Sequence, residues 1–155
     1  NSVRYDLRGQ DKALRIRRIT DLDTGKTQAE FNCKGPKLDQ VSVSRTELEM
    51  RLETPEILER ILEELGFLPV PCAVRKIRFT YTRGRITAAV DQVEGLGDYL
   101  ELEIIGQGED QRSACLKEIE LAMKELGYEQ KDTIRTSYLS MLQKKEKSGG
   151  RSNPQ

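Results

Sequence analysis

The sequence predicts an α+β fold: an antiparallel sheet large enough to curl or close, with helical segments available to cover its apolar faces. Three observations predict it. Apolar and charged residues alternate with period two along several stretches, the repeat of a strand whose two faces differ. Short turns containing glycine join these stretches, and short turns join antiparallel neighbours. Segments with apolar residues at helical spacing interrupt the strands and can cover their apolar faces.

Asn1–Leu7 reads as part of a strand. Ala13–Thr20 (ALRIRRIT) alternates Leu14, Ile16 and Ile19 with Arg15 and Arg17. Asp21–Lys26 is a hairpin turn, with Gly25 at positive φ. Thr27–Lys34 is the return strand and is expected to stop at Gly35-Pro36, because proline cannot donate into a central ladder. Val41–Glu53 alternates again. Thr54 and Pro55 are the expected N-cap and first residue of a helix carrying Ile57, Leu58, Ile61, Leu62 and Leu65, closed by Gly66. Ala73–Arg83 and Arg85–Val93 form a second hairpin about Gly84. Gly95-Leu96-Gly97 breaks to a strand over Tyr99–Ile105. Helices follow over Gly108–Gly127 and Thr133–Lys144, and Ser148–Gln155 is a frayed tail.

The bulk numbers exclude several function classes. The chain has 155 residues, 34% of them charged, with 26 basic and 26 acidic residues. An ordinary nucleic-acid binder shows a basic excess, and no aromatic residues interleave with the basic strands as stacking platforms, so nucleic acid is not an expected partner. No apolar run approaches a membrane span, so no membrane partner is expected. The three cysteines are scattered and unpaired in sequence, which disfavours a zinc cluster and fits a cytoplasmic protein. Histidine is absent, which removes imidazole ligands and histidine bases.

The chemistry lies in how the charges are placed. Arg15 and Arg17 share a strand face, as do Glu30 and Lys34, then Arg45, Glu47 and Glu49, then Lys76 and Arg78, then Glu101 and Glu103; Asp91 falls in register with Ala89 and Val93. On one strand such alternation usually marks a solvated face laced with ion pairs. Five strands doing so, each with an apolar opposite face, point to a polar lumen inside a curled sheet. Arg and Lys suit phosphate oxygens, whereas carboxylates tolerate phosphate only with divalent cations between them. The mixed lining therefore predicts a polyphosphate ligand with Mg²⁺ or Mn²⁺. Arg18, Arg51, Arg75, Arg83 and Arg85, and the acidic helix face of Glu59, Glu63 and Glu64, read as surface.

The segments ALRIRR (13–18), FNCKGP (31–36), SRTELE (44–49), VRKIRFTY (74–81), VDQVEGLGDYLELE (90–103) and TSYLSML (136–142) run in the order found in the CYTH family of triphosphate tunnel enzymes. The chain resembles that family, and its cyclase and archaeal branch more than its thiamine triphosphatases. The resemblance implies a single tunnel domain over residues 1–147, an antiparallel β-barrel with outer helices. It implies that Arg15, Arg17, Lys34, Arg45, Lys76 and Arg78 bind the phosphates and that Glu47, Glu49, Asp91, Glu101 and Glu103 hold metal. Lys76, Arg78 and Asp91 are the candidate catalytic groups. The family's E-x-E-x-K strand is missing from the chain and is expected upstream of Asn1.

A class IV-type adenylate cyclase, converting ATP to cyclic AMP and pyrophosphate, is the expected function. An inorganic or organic triphosphatase and a non-catalytic polyphosphate-binding module are the alternatives. ATP or another triphosphate is the expected partner, and a homodimer is possible.

Overall fold

The computed structural model describes residues 5–37, 45–106 and 108–149. The chain forms two compact units, residues 1–70 and 71–155.

In the first unit, β1 (Ala13–Thr20), β2 (Thr27–Lys37) and β3 (Arg45–Leu52) make an antiparallel sheet in that order. The β1–β2 turn forms as expected. Asp21 Oδ1 accepts hydrogen bonds from the backbone N–H groups of Asp23 and Thr24 at 3.0 and 2.7 Å, and Gly25 takes φ +69°, which a side chain would oppose. β2 does not stop at Gly35-Pro36; it continues to Lys37 with a shift of register between Lys34 and Lys37. An irregularity of this kind is where a ladder tolerates the missing N–H of proline. Gly35 permits the close approach of β3, since a Cβ there would lie 3.3 Å from the carbonyl oxygen of Thr46. Of the strand expected over Asn1–Leu7, Tyr5 forms an isolated bridge and residues 7–11 form a turn; residues 1–4 and 41–44 lie outside the described residues.

α1 (Pro55–Glu64) starts at its proline, but the Thr54 side chain makes no capping hydrogen bond. Its C-terminus follows the sequence closely. Gly66 has φ +82°, its N–H reaches the Glu63 carbonyl at 2.8 Å, and the N–H of Phe67 reaches the Leu62 carbonyl at 2.8 Å. These two bonds satisfy carbonyls that the helix end leaves open. Arg18 is exposed, as read from sequence, and from the surface it ties β1 to α1 through Glu56 and Glu59 at 3.0 and 3.1 Å. Because Arg18 shares a strand face with Leu14 and Ile16, these pairs set α1 over that apolar face.

In the second unit, β4 (Lys76–Arg83), β5 (Ile86–Val93) and β6 (Gly97–Glu103) form another antiparallel sheet in chain order. Gly84-Arg85 is the tight turn, with Gly84 at φ +60°. A 3-10 turn over Glu109–Gln111 leads into α2 (Arg112–Glu125). Arg83 and Arg85 bind Glu125 and Glu118 of α2, each at 2.6 Å. The last helix, α3, spans Tyr138–Gly149 rather than Thr133–Lys144. Ser137 explains the late start: its Oγ accepts the Ser140 N–H at 3.2 Å, a cap three residues into the helix. Ser148 and Gly149, expected in a frayed tail, are helical, and residues 150–155 lie outside the described residues.

The expected closed barrel is not formed. The six described strands pair in two separate sheets of three, so β1, β3, β4 and β6 each pair along one edge only, whereas closure pairs both edges of every strand. Nor do helices cover every apolar face. Leu48 and Met50 on β3 are 69% and 58% exposed, and Phe79 on β4 is 46% exposed. Among the described residues no helix is long and apolar enough to cross a membrane.

Candidate functional site

The β1–β2–β3 register sets Arg15 opposite Asn32 and Asn32 opposite Glu49; Arg17 opposite Glu30 and Glu30 opposite Arg51; and Lys34 opposite Glu47. The whole charged set thus lies on one face, and Arg51, exposed as the sequence reading had it, shares that face. Arg17 Nη2 donates to Glu30 at 2.5 Å and lies 3.5 Å from Glu49; Lys34 Nζ donates to Glu47 at 2.5 Å. Burial alone would push the Glu47 carboxyl up, but the hydrogen bond and charge of Lys34, helped by Asn32 and Arg15, hold it below its ordinary range. Arg45 lies at the irregular end of the ladder, with Nη1 3.4 Å from the Gly35 carbonyl and Nη2 4.0 Å from Asp11.

Asn32 is the residue that sequence reading missed here. It is 1% exposed, its Nδ2 donates to Glu47 at 3.2 Å and Glu49 at 3.4 Å, and its Oδ1 has no hydrogen-bond partner among the described residues. The signal was present in sequence: position 32 sits between Glu30 and Lys34 with the same period, on the central strand.

In the second unit, Arg78 lies opposite Asp91 and Asp91 opposite Tyr99. Asp91 is fully buried. Its Oδ1 accepts from Arg78 Nε at 2.6 Å; its Oδ2 accepts from Lys76 Nζ at 2.7 Å, Arg78 Nη2 at 2.7 Å and the Tyr138 hydroxyl at 3.0 Å. Burial opposes its charge, yet the Arg78 and Lys76 donors hold Asp91 below the usual carboxylate range. Burial, with the neighbouring Arg78 charge, pulls Lys76 below the usual lysine range against the pull of Asp91. The Tyr138 hydroxyl is pushed up by burial and by Asp91. Arg78 also pairs with Glu101, which lies opposite Ala89. Glu103 is exposed opposite Thr87 and stands apart from this cluster along the strand.

The structure therefore brings together Arg17, Lys34, Glu47 and Glu49 in one unit and Lys76, Arg78, Asp91 and Glu101 in the other. The most buried polar groups, Asn32, Asp91 and Glu30, lie on the charged faces, while Leu48, Met50 and Phe79 on the opposite faces are exposed. Those three buried groups set the centre of each face apart from an ordinary solvated sheet, while Arg15, Glu47, Glu49 and Glu101 around them are exposed.

The model of the CYTH domain matches residues 1–138. The chain belongs to the CYTH domain family. A curated protein of Methanocaldococcus jannaschii named "Putative adenylate cyclase MJ0240" is 39% identical over 141 residues, which cover 91% of this chain and 77% of that protein. Among solved structures, the PH1819 protein of Pyrococcus horikoshii OT3 superposes with a TM-score of 0.81 at 33% identity, covering 91% of this chain and 78% of that one. A structure from Vibrio parahaemolyticus titled "putative adenylate cyclase" shares the fold at a TM-score of 0.75 and 20% identity, over 92% of this chain and 76% of that one.

Among the described residues no group of three or more His, Cys, Asp or Glu side chains gathers as a metal site in this CYTH chain. Pairs are present instead. Glu47 and Glu49 flank the Asn32 amide, and Glu101 and Glu103 project from one face of β6. A carboxylate pair fits Mg²⁺ or Mn²⁺ of the kind that retains waters and completes its shell with phosphate oxygens.

Proposed function

We propose that this CYTH chain acts on a nucleoside triphosphate as a class IV-type adenylate cyclase, converting ATP to cyclic AMP and pyrophosphate. The observation that carries this reading is the buried Asp91 clamped between Lys76 and Arg78. A fixed carboxylate there orients two cations of different shape. The planar fork of Arg78 suits two phosphate oxygens at once, and Lys76 is a compact point charge. Arg15, Arg17, Lys34 and Arg45 supply further cations of the same kind on the first face. The relative from Methanocaldococcus jannaschii directs the choice toward the cyclase reaction.

In that reaction the ribose 3′-oxygen attacks the α-phosphorus, its proton leaves, and the bond to the pyrophosphate oxygen breaks. Negative charge grows on the departing pyrophosphate, and Lys76 and Arg78 stabilise it at fixed positions without reorganising. Glu47 with Glu49, and Glu101 with Glu103, would hold Mg²⁺ or Mn²⁺, which when bound supplies charge neutralisation at the phosphate oxygens.

The test is a product assay with ATP and Mg²⁺ or Mn²⁺. Cyclic AMP and pyrophosphate in equal amounts are expected. Orthophosphate without cyclic AMP would replace the cyclase with a triphosphatase, and ATP binding without turnover would leave a binding module.

A further inference from the structure

We propose that Asp91 is a positioning residue for Lys76 and Arg78, not a ligand of the metal, and that Tyr138 holds it in that role. The proposal rests on the reading above that the second face binds phosphate.

An ionised carboxylate offers about four acceptor directions. Asp91 gives one to Arg78 Nε through Oδ1, and through Oδ2 it receives Lys76, Arg78 Nη2 and Tyr138. Oδ2 carries three donors, and the side chain is fully enclosed, so the direction left at Oδ1 is closed to solvent. A cation approaching Asp91 would displace one of these donors and sit beside two positive charges.

Tyr138 reaches Asp91 from the start of α3, 47 residues away in sequence. Its ring packs on Tyr99, the register partner of Asp91, with centroids 5.0 Å apart, and Lys76 Nζ lies 5.4 Å from the ring centre. Ring and hydroxyl thus fix each other's aim. The hydroxyl is a neutral donor: it restrains Asp91 without adding a third positive charge to the cluster. Two protons of Lys76 and the Nη1 group of Arg78 are left by this network to meet an anion. α3 has a separate anchor, because Lys145 Nζ donates to the Gly95 carbonyl at 2.6 Å. Losing the Tyr138 hydroxyl therefore leaves the helix docked.

Two affinities of the full chain test the proposal: Mn²⁺ by electron paramagnetic resonance, and inorganic triphosphate by calorimetry in EDTA. Tyr138→Phe is expected to weaken triphosphate binding by about five- to tenfold, the scale of one ordinary net hydrogen bond, and to leave Mn²⁺ affinity unchanged. Asp91→Asn is expected to leave Mn²⁺ affinity within about twofold, while Glu47→Gln, in the pair assigned to metal, weakens it about tenfold. The opposite pattern overturns the proposal. If Asp91 ligates metal, removing its competitor in Tyr138→Phe tightens Mn²⁺ binding, and Asp91→Asn weakens it as Glu47→Gln does. Tyr138→Phe decides the matter by itself if Asp91→Asn does not fold. Wild-type protein that binds neither probe overturns the phosphate-and-metal reading itself, a result distinct from either pattern above.

Discussion

Arg78 grips Asp91 with two nitrogens, Nε on Oδ1 at 2.6 Å and Nη2 on Oδ2 at 2.7 Å. The first unit repeats the relationship in weaker form. Arg17 faces Glu30 across β1 and β2 just as Arg78 faces Asp91 across β4 and β5. Both leading strands read basic-Ile-Arg, at 15–17 and 76–78, and both third strands carry Glu-Leu-Glu. The third strands differ in register, so the Asp91 level ends at Tyr99 and the Glu30 level at Arg51. Among the described residues, only the second unit therefore places an aromatic ring beside its central acid, and there Tyr138 docks.

Arg78→Lys keeps the charge and removes the fork. One ammonium cannot hold both oxygens of Asp91 and also reach Glu101, so two charge-assisted hydrogen bonds are lost. The expected cost is about 1–3 kcal/mol of stability, with a fall of about tenfold in affinity for inorganic triphosphate. Denaturant unfolding and calorimetry measure the two. Equal affinity in both proteins would mean that charge alone, without the fork, binds the anion.

Lys76 predicts the alkaline side of the pH profile. Burial and the Arg78 charge lower its proton affinity, so it discharges before an ordinary lysine does. The sign follows for folding: charging Lys76 inside the fold costs stability at neutral pH, and that cost fades as pH rises through its lowered value. Phosphate affinity moves the other way and falls over the same window as the cation disappears. Lys76→Arg is expected to keep the affinity flat through that window. A profile identical in wild type and Lys76→Arg would place the titrating group elsewhere.

Asp91 predicts the acid side. Its folded value lies below the unfolded value of about 3.9, so its contribution to stability is present above that pH and is lost as pH falls through the folded value. Asp91→Ala leaves two partly buried cations without their acid, a loss of about 3 kcal/mol at neutral pH. The gap in melting temperature between wild type and Asp91→Ala is expected to be wide at pH 7 and to begin narrowing only once the pH falls below the unfolded value of about 3.9. A gap independent of pH would mean that packing, not charge, sets the loss.

The strands were legible because period two is local: β1 appears as read, and Arg15, Arg17, Lys34, Glu47, Lys76, Arg78 and Glu101 sit on the faces expected of them. The glycine signals at 25, 66 and 84 were legible for the same reason, since positive φ excludes most side chains. What failed depends on partners distant in sequence. Gly35-Pro36 could be seen to interrupt a ladder, but whether the strand ends or bulges depends on β3. Ser137 caps α3, which begins five residues after the start expected at Thr133, and the Ser137 bond to the Ser140 N–H is what sets the boundary. Tyr138 lies in the segment TSYLSML, and nothing in its sequence neighbourhood announces a bond to Asp91. Barrel closure depends on both edges of every strand, and edge pairing has no local signal.

Asn32 supplies the last prediction. Its amide sits at the centre of the first sheet, donating to Glu47 and Glu49, with its own carbonyl oxygen unpartnered among the described residues. The donor keeps two like charges on adjacent positions of one strand face together. Asn32→Asp exchanges that donor for a third acceptor, leaving three carboxylates facing one another with only the neighbouring cations to offset them. In EDTA the variant is expected to lose about 2 kcal/mol and to melt roughly 4–8 °C lower. Three convergent carboxylates suit a hard divalent cation better than two carboxylates and an amide, so added Mn²⁺ is expected to raise the melting temperature of Asn32→Asp more than that of wild type. Asn32→Leu, which removes donor and acceptor alike, is expected to melt lower in EDTA and to gain less from Mn²⁺ than wild type does. If Mn²⁺ shifts all three proteins equally, the cation does not enter beside residue 32, and the amide serves only to bridge the two glutamates.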